Sequence, residues 1–450
     1  MKTGQFWPAK TGSSGQASYI VLAALVGLLA GIIGSLFHLA INAAVLWPNH
    51  LRQWLDGPLL VLSAALITMT LTLAAVFMVR RIAPEASGSG VQEIEGAMEG
   101  LRVVRWAKIL PVKFFGGIIA IGSGLVLGRE GPTIHIGASI AAMLSSTIRL
   151  SKIERRGLLA AGAAAGLACA FNAPIAGILF VIEETRKQFP YNFFTYMGII
   201  AASLLAVLMT QLIGGMAPDM TLFSPEMPLG LLPAFAALGC VLGLVGVILN
   251  TSILHALNFA GWMHERTPYL YPALAGLCIG ALFILLPKTV TGGESVVMEL
   301  VTEKPALLLL LALALIRFAT MVGSYSSGVP GGIFAPILAL AACLGLAFGT
   351  VVESLLPSFG GVTTAFAIAA MGGLFTASVR APIVGIVLTL ELTGAYQLTM
   401  PLLATCLVAN LVAQWLGGKP IYEQLLERTL QQEKCSIADC ADPPAVKYAP

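Results

Sequence analysis

Charge is what this chain has least of. Only 10% of its 450 residues are Asp, Glu, Lys or Arg, against about 25% in ordinary soluble proteins. None occurs in 11–51, 57–79, 157–182, 227–263 or 318–352. Aspartate is confined to Asp56, Asp219, Asp439 and Asp442, all near the edges of apolar runs or in the C-terminal tail. No His-Glu-x-x-His zinc pattern and no nucleophile–base motif is present, which disfavours an intramembrane enzyme. Cysteine forms no framework: Cys169, Cys240, Cys278, Cys343 and Cys406 lie singly in apolar text, and Cys435 and Cys440 sit in the polar tail. No cleavable signal sequence is expected, because the N-terminus is polar until Tyr19 and the first apolar run is long enough to span. The net charge of +3 singles out no partner, and neither a nucleic acid nor a cofactor or metal is expected.

What is present is apolar residue, 57% of the chain with a mean hydropathy of +0.89. A membrane span needs roughly 20 apolar residues, so several charge-free stretches hold a tilted helix or more than one. Others are too short: 15 residues separate Lys113 from Arg129, and Gly and Pro interrupt many segments. Half-crossing, broken helices fit that pattern better than a regular bundle. The expected class is an all-α polytopic membrane protein. Basic residues cluster at 102–113 and 149–156, which are therefore read as cytoplasmic loops.

The chain also repeats itself. Residues 173–185 align without gaps to 381–393, matching Ala, Pro, Ile, Gly, Ile, Glu and Thr at an offset of 208. At an offset of 204, Gly128-Arg-Glu-Gly-Pro132 faces Gly332-Ile-Phe-Ala-Pro336. The expected organisation is an N-terminal cytoplasmic segment (1–17), a first repeat (18–215), a linker (216–227), a second repeat (228–425) and a cytoplasmic tail (426–450). Paired Gly/Pro-interrupted segments point to a substrate site at the repeat interface.

Within the first of these segments, Glu130 is the most informative residue. An ionisable side chain at membrane depth costs several kcal/mol and is a functional candidate by default. Gly131-Pro132 after it is helix-start chemistry. The carboxylate therefore belongs at the positive end of a helix, where anions bind. That combination suggests proton-linked anion movement.

Four segments in order, Gly88-Ser-Gly-Val-Gln92, Gly128-Arg-Glu-Gly-Pro132, Gly331-Gly-Ile-Phe-Ala-Pro336 and Gly417-Gly-Lys-Pro-Ile-Tyr422, resemble the signature segments of the CLC family of chloride channels and proton/chloride exchangers. The likeness runs from about residue 20 to residue 430. Leu110-Pro-Val-Lys-Phe-Phe-Gly-Gly117 and Ala170-Phe-Asn-Ala-Pro174 resemble the bacterial exchangers in particular.

The resemblance implies two inverted repeats, a homodimer in a bacterial inner membrane, and a complete anion pathway in each subunit. It implies that chloride is held by the hydroxyls of Ser89 and Tyr422 and the backbone N–H groups of Ile333 and Phe334, with Gly88 and Gly131 shaping the turns. Such partial charges bind an ion yet release it. Glu130 becomes the external gate and Glu184 the internal proton-transfer acid. Arg129 is a gate ligand, a structural pairing or a field-shaping group. Lys113, Glu93 and Glu95 either tune proton entry or form a solvated face. Glu183 and its mate Glu391 read as helix ends meeting the cytoplasm, Arg317 as a buried structural cation, and His135 as a core residue. Gln92 stands where the family usually has Pro. The 28 residues after Tyr422 are too few for paired nucleotide-binding modules, so regulation by adenine nucleotides is not expected. The implied activity is proton-coupled chloride antiport. A passive chloride channel is the nearest rival, and Glu184 argues against it. Ser89 and Tyr422 disfavour a fluoride exporter, and a structural scaffold would not need Glu130.

Overall fold

A computed structural model describes residues 13–185, 192–215, 220, 222 and 227–441. Asp219, Asp442, the side chains of Cys435, Asp439 and Cys440, and most of the expected N-terminal segment and linker lie outside the described residues. The first half contains α1 (Ser13–Ala44), α2 (Trp47–Leu51), α3 (Gly57–Ile82), α4 (Val91–Glu99) and α5 (Trp106–Pro111). A π turn at Val112–Gly116 joins α5 to α6 (Gly117–Gly122), followed by α7 (Glu130–Thr147), α8 (Lys152–Phe171), α9 (Pro174–Glu184) and α10 (Phe193–Gly214). The second half contains α11 (Leu232–Arg266), α12 (Leu270–Leu285), α13 (Glu294–Glu303), α14 (Leu307–Tyr325) and α15 (Phe334–Leu355). It ends with α16 (Thr363–Val379), α17 (Pro382–Thr393), α18 (Thr399–Trp415) and α19 (Ile421–Ala441). Among the described residues, seven helices are long and apolar enough to cross a membrane.

The halves share one plan. Helix α1 packs on α10 and α11 on α18, while α7 packs on α8 and α15 on α16. Glycine makes the first two contacts close: Gly27 and Gly31 lie on the backbone of Ala202 and Ala206, and Gly239 and Gly243 on that of Thr405 and Ala409. Without a hydrophobic drive between lipid-facing helices, such small-residue contacts supply the packing.

Hydrogen bonds at α9 and α17 fix the relative direction of the halves. The Glu183 carboxylate, in the last turn of α9, accepts from the N–H groups of Ile383 (3.4 Å) and Val384 (3.0 Å) at the start of α17. The Glu391 carboxylate, in the last turn of α17, accepts from Ile175 (3.1 Å) and Ala176 (2.7 Å) at the start of α9. Each helix ends where the other begins, so the repeat-mates run antiparallel and the repeat is inverted. Glu183 and Glu391 therefore lie at opposite ends of the pair, which corrects the reading that both are helix ends meeting the cytoplasm. Pro174 and Pro382 leave the first turns short of donors, and the remaining N–H groups take a carboxylate from the opposite repeat.

Candidate anion and proton site

Two short backbone pairings knit the signature segments together. Gly88 N–H donates to Val329 O (2.9 Å) and Gly331 N–H to Gly88 O (3.0 Å). Gly128 and Gly332 exchange both of their hydrogen bonds, at 2.8 and 2.7 Å. The N-termini of α7 and α15 are thereby held side by side, with the Ser89 turn against them. A Cβ on Gly131 would come within 2.8 Å of the Ser89 Cα, so only glycine lets that turn approach.

The fully buried Glu130 is the first residue of α7, and its side chain turns back over the helix start. The carboxylate faces its own backbone N–H and that of Ala335 in α15, neither in full hydrogen-bond geometry. Ile333 and Phe334 are the N-cap and first residue of α15, where N–H groups have no carbonyl four residues back. The buried hydroxyls of Ser89 and Tyr422 face one another at the same place, and the Tyr422 ring lies 5.9 Å from that of Phe334. The structure thus brings Ser89, Glu130, Gly131, Ile333, Phe334 and Tyr422 together. Positive helix ends and hydroxyls surround one buried carboxylate, an arrangement that accepts an anion wherever the carboxylate is not.

Two cavities approach this point from different sides and stop short of the buried Glu130, Ser89 and Tyr422. A cavity of about 680 Å³ is lined by Gly128, Arg129, Gly292, Glu294 and Ala335. A second, of about 780 Å³, is lined by Gly88, Gln92, Glu93, Arg102 and Tyr325. The first also touches Arg52, just before α3, and the second touches Glu85, just after it. The 26 residues of α3 measure about 39 Å at about 1.5 Å per residue, so the cavities open on opposite faces of the membrane. Gln92 lines the second cavity, its side-chain oxygen unpaired, and α4 still starts at Val91.

Glu184 closes α9 and is half-buried. It faces Glu95, a buried acid on α4. A proton on either acid would relieve the repulsion between them and let one donate to the other. Phe180, four residues before Glu184, stacks edge-on to Phe334 at 5.5 Å, and Tyr422 is within electrostatic reach of both Glu130 and Glu184. The acid pair is thus set apart from the anion site by aromatic rings.

Lys113 is not on a solvated face. It is fully buried and donates to Gly88 O (2.7 Å) and Ser89 O (3.1 Å), pinning the Ser89 turn from behind. Glu93 is likewise buried, ion-paired to Arg102 at 2.8 Å. Arg129 is paired with Ala170 O (3.1 Å), His38 Nε2 (2.8 Å) and Glu294 (3.5 Å), contacts that hold its charge beside Glu130. Arg317 holds four carbonyls, those of Lys288, Val290, Thr291 and Gly292, at 2.8–3.3 Å. His135 is a core residue, its ring filling the space beneath Gly90, whose φ of +89° and missing Cβ both require glycine. Glu294 and His38 were passed over in the sequence. Glu294 opens a helix after a turn, a place where a solvated cap is the ordinary reading, and nothing in the local sequence marks it.

Comparison with known proteins gives the family and the fold. The sequence model of the family described as Voltage gated chloride channel matches residues 71–414. The H(+)/Cl(-) exchange transporter ClcA of Vibrio parahaemolyticus is 43% identical over 432 residues, 94% of this chain and 92% of that protein. The protein of the same name from Salmonella arizonae is 42% identical over 431 residues, 93% of this chain and 90% of that one. The crystal structure of a slow cyanobacterial Cl-/H+ antiporter superposes with a TM-score of 0.89 at 35% identity, covering 96% of this chain and all of that one. A CLC-type fluoride/proton antiporter shares the fold, with a TM-score of 0.73 at 19% identity over 90% of this chain and 97% of that one.

Proposed function

The chain belongs to the voltage-gated chloride channel family, and we propose that within it this protein is a proton-coupled chloride antiporter whose gate is Glu130. One observation carries the reading: a buried carboxylate occupies the junction of two helix N-termini and two hydroxyls, between cavities from opposite faces. Deprotonated, Glu130 fills the place an anion would take; protonated, it loses its electrostatic hold there and yields to chloride held by Ser89, Tyr422 and the N–H groups of Ile333 and Phe334. The Glu95–Glu184 pair stores a proton off the anion route. Glu184 delivers that proton toward Glu130, so each passage of chloride is tied to proton transfer.

The cavity bearing Arg102 faces the cytoplasm, in keeping with its basic loop, and the Arg129 cavity faces outward. The reading extends to a multi-pass protein of a bacterial inner membrane, working as a homodimer with one pathway per subunit. Exposed apolar residues on α9, α10, α17 and α18, among them Ile175, Leu204, Ile383 and Leu407, offer a face for the second copy.

A passive channel of the same fold is the alternative. The reversal potential of reconstituted protein, measured at fixed chloride while the pH gradient is varied, separates them. An antiporter's potential moves with the gradient. A potential that ignores pH makes the protein a channel.

A further inference from the structure

The inverted repeat gives the anion-binding turn a mate. Gly88-Ser89-Gly90 precedes α4, and 203 residues later Thr291-Gly292-Gly293 precedes α13. Gly90 and Gly293 are both N-caps in the left-handed region, at φ of 89° and 93°. Each turn is held from behind by a buried cation bonded to its carbonyls, Lys113 for the first and Arg317 for the second. The first turn borders the second cavity through Gly88. The second lies on the opposite cavity, beside Leu127 O and the Ala335 side chain. Its helix opens with Glu294, at the place that Val91 takes in α4.

Glu294 thus lines the outer cavity at the first position of α13. Its side chain is 27% exposed and pairs with Arg129, which is 6% exposed. Arg129 is the residue before Glu130, and the Glu294 and Glu130 carboxylates repel one another. The other charged groups facing this cavity are Arg52 at the end of α2, Lys288 before α13, and Glu299 on α13. Lys288 and Glu299 pair with each other at 2.9 Å. His38, on α1, reaches the cluster only through Arg129.

We infer that Glu294 is the positioning residue through which external pH acts on the gate. Its charge sets the external proton concentration at which Glu130 releases its place to chloride. Two effects act in one direction. The Glu294 carboxylate offsets the Arg129 guanidinium, which would otherwise hold Glu130 as an anion, and it adds a like charge facing Glu130. Both favour the protonated gate. Removing the charge therefore lets the closed, anionic Glu130 persist to lower external pH.

The inference rests on Glu130 being the gate, and the test keeps the two apart. Chloride efflux from liposomes is measured against external pH at fixed internal pH for wild type, Glu294→Gln, Glu294→Asp, Glu299→Gln and Glu130→Gln. Glu294→Gln should move the half-activating pH down by about one unit, tenfold in proton concentration, with the flux at the acidic plateau retained. Glu294→Asp should stay near wild type, as should Glu299→Gln, whose charge is taken up by Lys288. Glu130→Gln should be flat with pH. An unmoved midpoint in Glu294→Gln, or an equal shift in Glu299→Gln, overturns the role of Glu294 while a flat Glu130→Gln leaves the gate standing. If the Glu294→Gln plateau collapses, Glu294→Asp decides: a wild-type midpoint supports the role, a lowered one refutes it. A Glu130→Gln profile that still follows pH removes the gate and this inference with it.

Discussion

At the scale of single residues, each proposed role separates chloride movement from proton movement. Glu130 is both the competing anion and the proton carrier, so Glu130→Gln should leave chloride flux that proceeds without protons. Glu184 lies off the anion junction, paired with Glu95. Glu184→Gln should therefore stop proton uptake while chloride still flows and still responds to external pH. Both fluxes recorded in the same liposomes decide it, and wild-type proton coupling in Glu184→Gln would end the internal-acid assignment. Tyr422→Phe keeps the ring against Phe334 and removes only the hydroxyl. A hydrogen bond to a charged partner contributes about 1.5–3 kcal/mol, so chloride affinity should fall roughly ten- to hundredfold by titration calorimetry. Glu130 and Tyr422 were legible because each sits in a distinctive Gly/Pro text, whereas Glu184 was legible only through the family resemblance. Lys113 and Glu93 were only half legible. A charge near a chain's basic loop reads equally as solvent-facing, and nothing in local spacing tells that Lys113 bends inward to the carbonyls of Gly88 and Ser89.

At the scale of helices, Pro and Gly mark where elements begin; the start at Pro132 was readable, while Pro174 and Pro382 were legible only as repeat-mates. The partners that satisfy the starts were not, because they come from the other repeat. Glu183 and Glu391 cap each other's helices across about 200 residues of chain. A lost N-terminal cap costs about 0.5–2 kcal/mol. Glu183→Ala and Glu391→Ala should each lower unfolding stability in detergent by about that amount. The two sites cap different helices, so the double variant should lose close to the sum of the two. A loss confined to Glu183→Ala would contradict the reciprocal arrangement. Proton coupling should persist in Glu391→Ala, since Glu391 lies in the last turn of α17 and touches neither acid of the Glu95–Glu184 pair.

At the scale of the whole molecule, the sequence repeat became a statement about sidedness only when the α9–α17 hydrogen bonds showed its direction. Two copies of one plan, inverted, produce two facing turns that then diverge. The turn before α4 carries a hydroxyl for the anion, and the turn before α13 carries an acid over the gate. The sequence match between these turns is too weak to see, because Ser89 and Gly292, or Val91 and Glu294, share no chemistry; only backbone geometry and the buried cations behind them are common. The consequence is a pathway with unlike ends, and it can be tested by access. A cysteine at Arg102 lines the cavity at the C-terminal end of α3, and one at Ser295 lines the cavity at its N-terminal end. With the native cysteines replaced, a membrane-impermeant thiol reagent should modify Ser295→Cys from the outside of intact cells and leave Arg102→Cys untouched. Inside-out vesicles should reverse the pattern. Modification of both from one side would mean that the two cavities do not flank a single barrier, and the gate could not then sit between them.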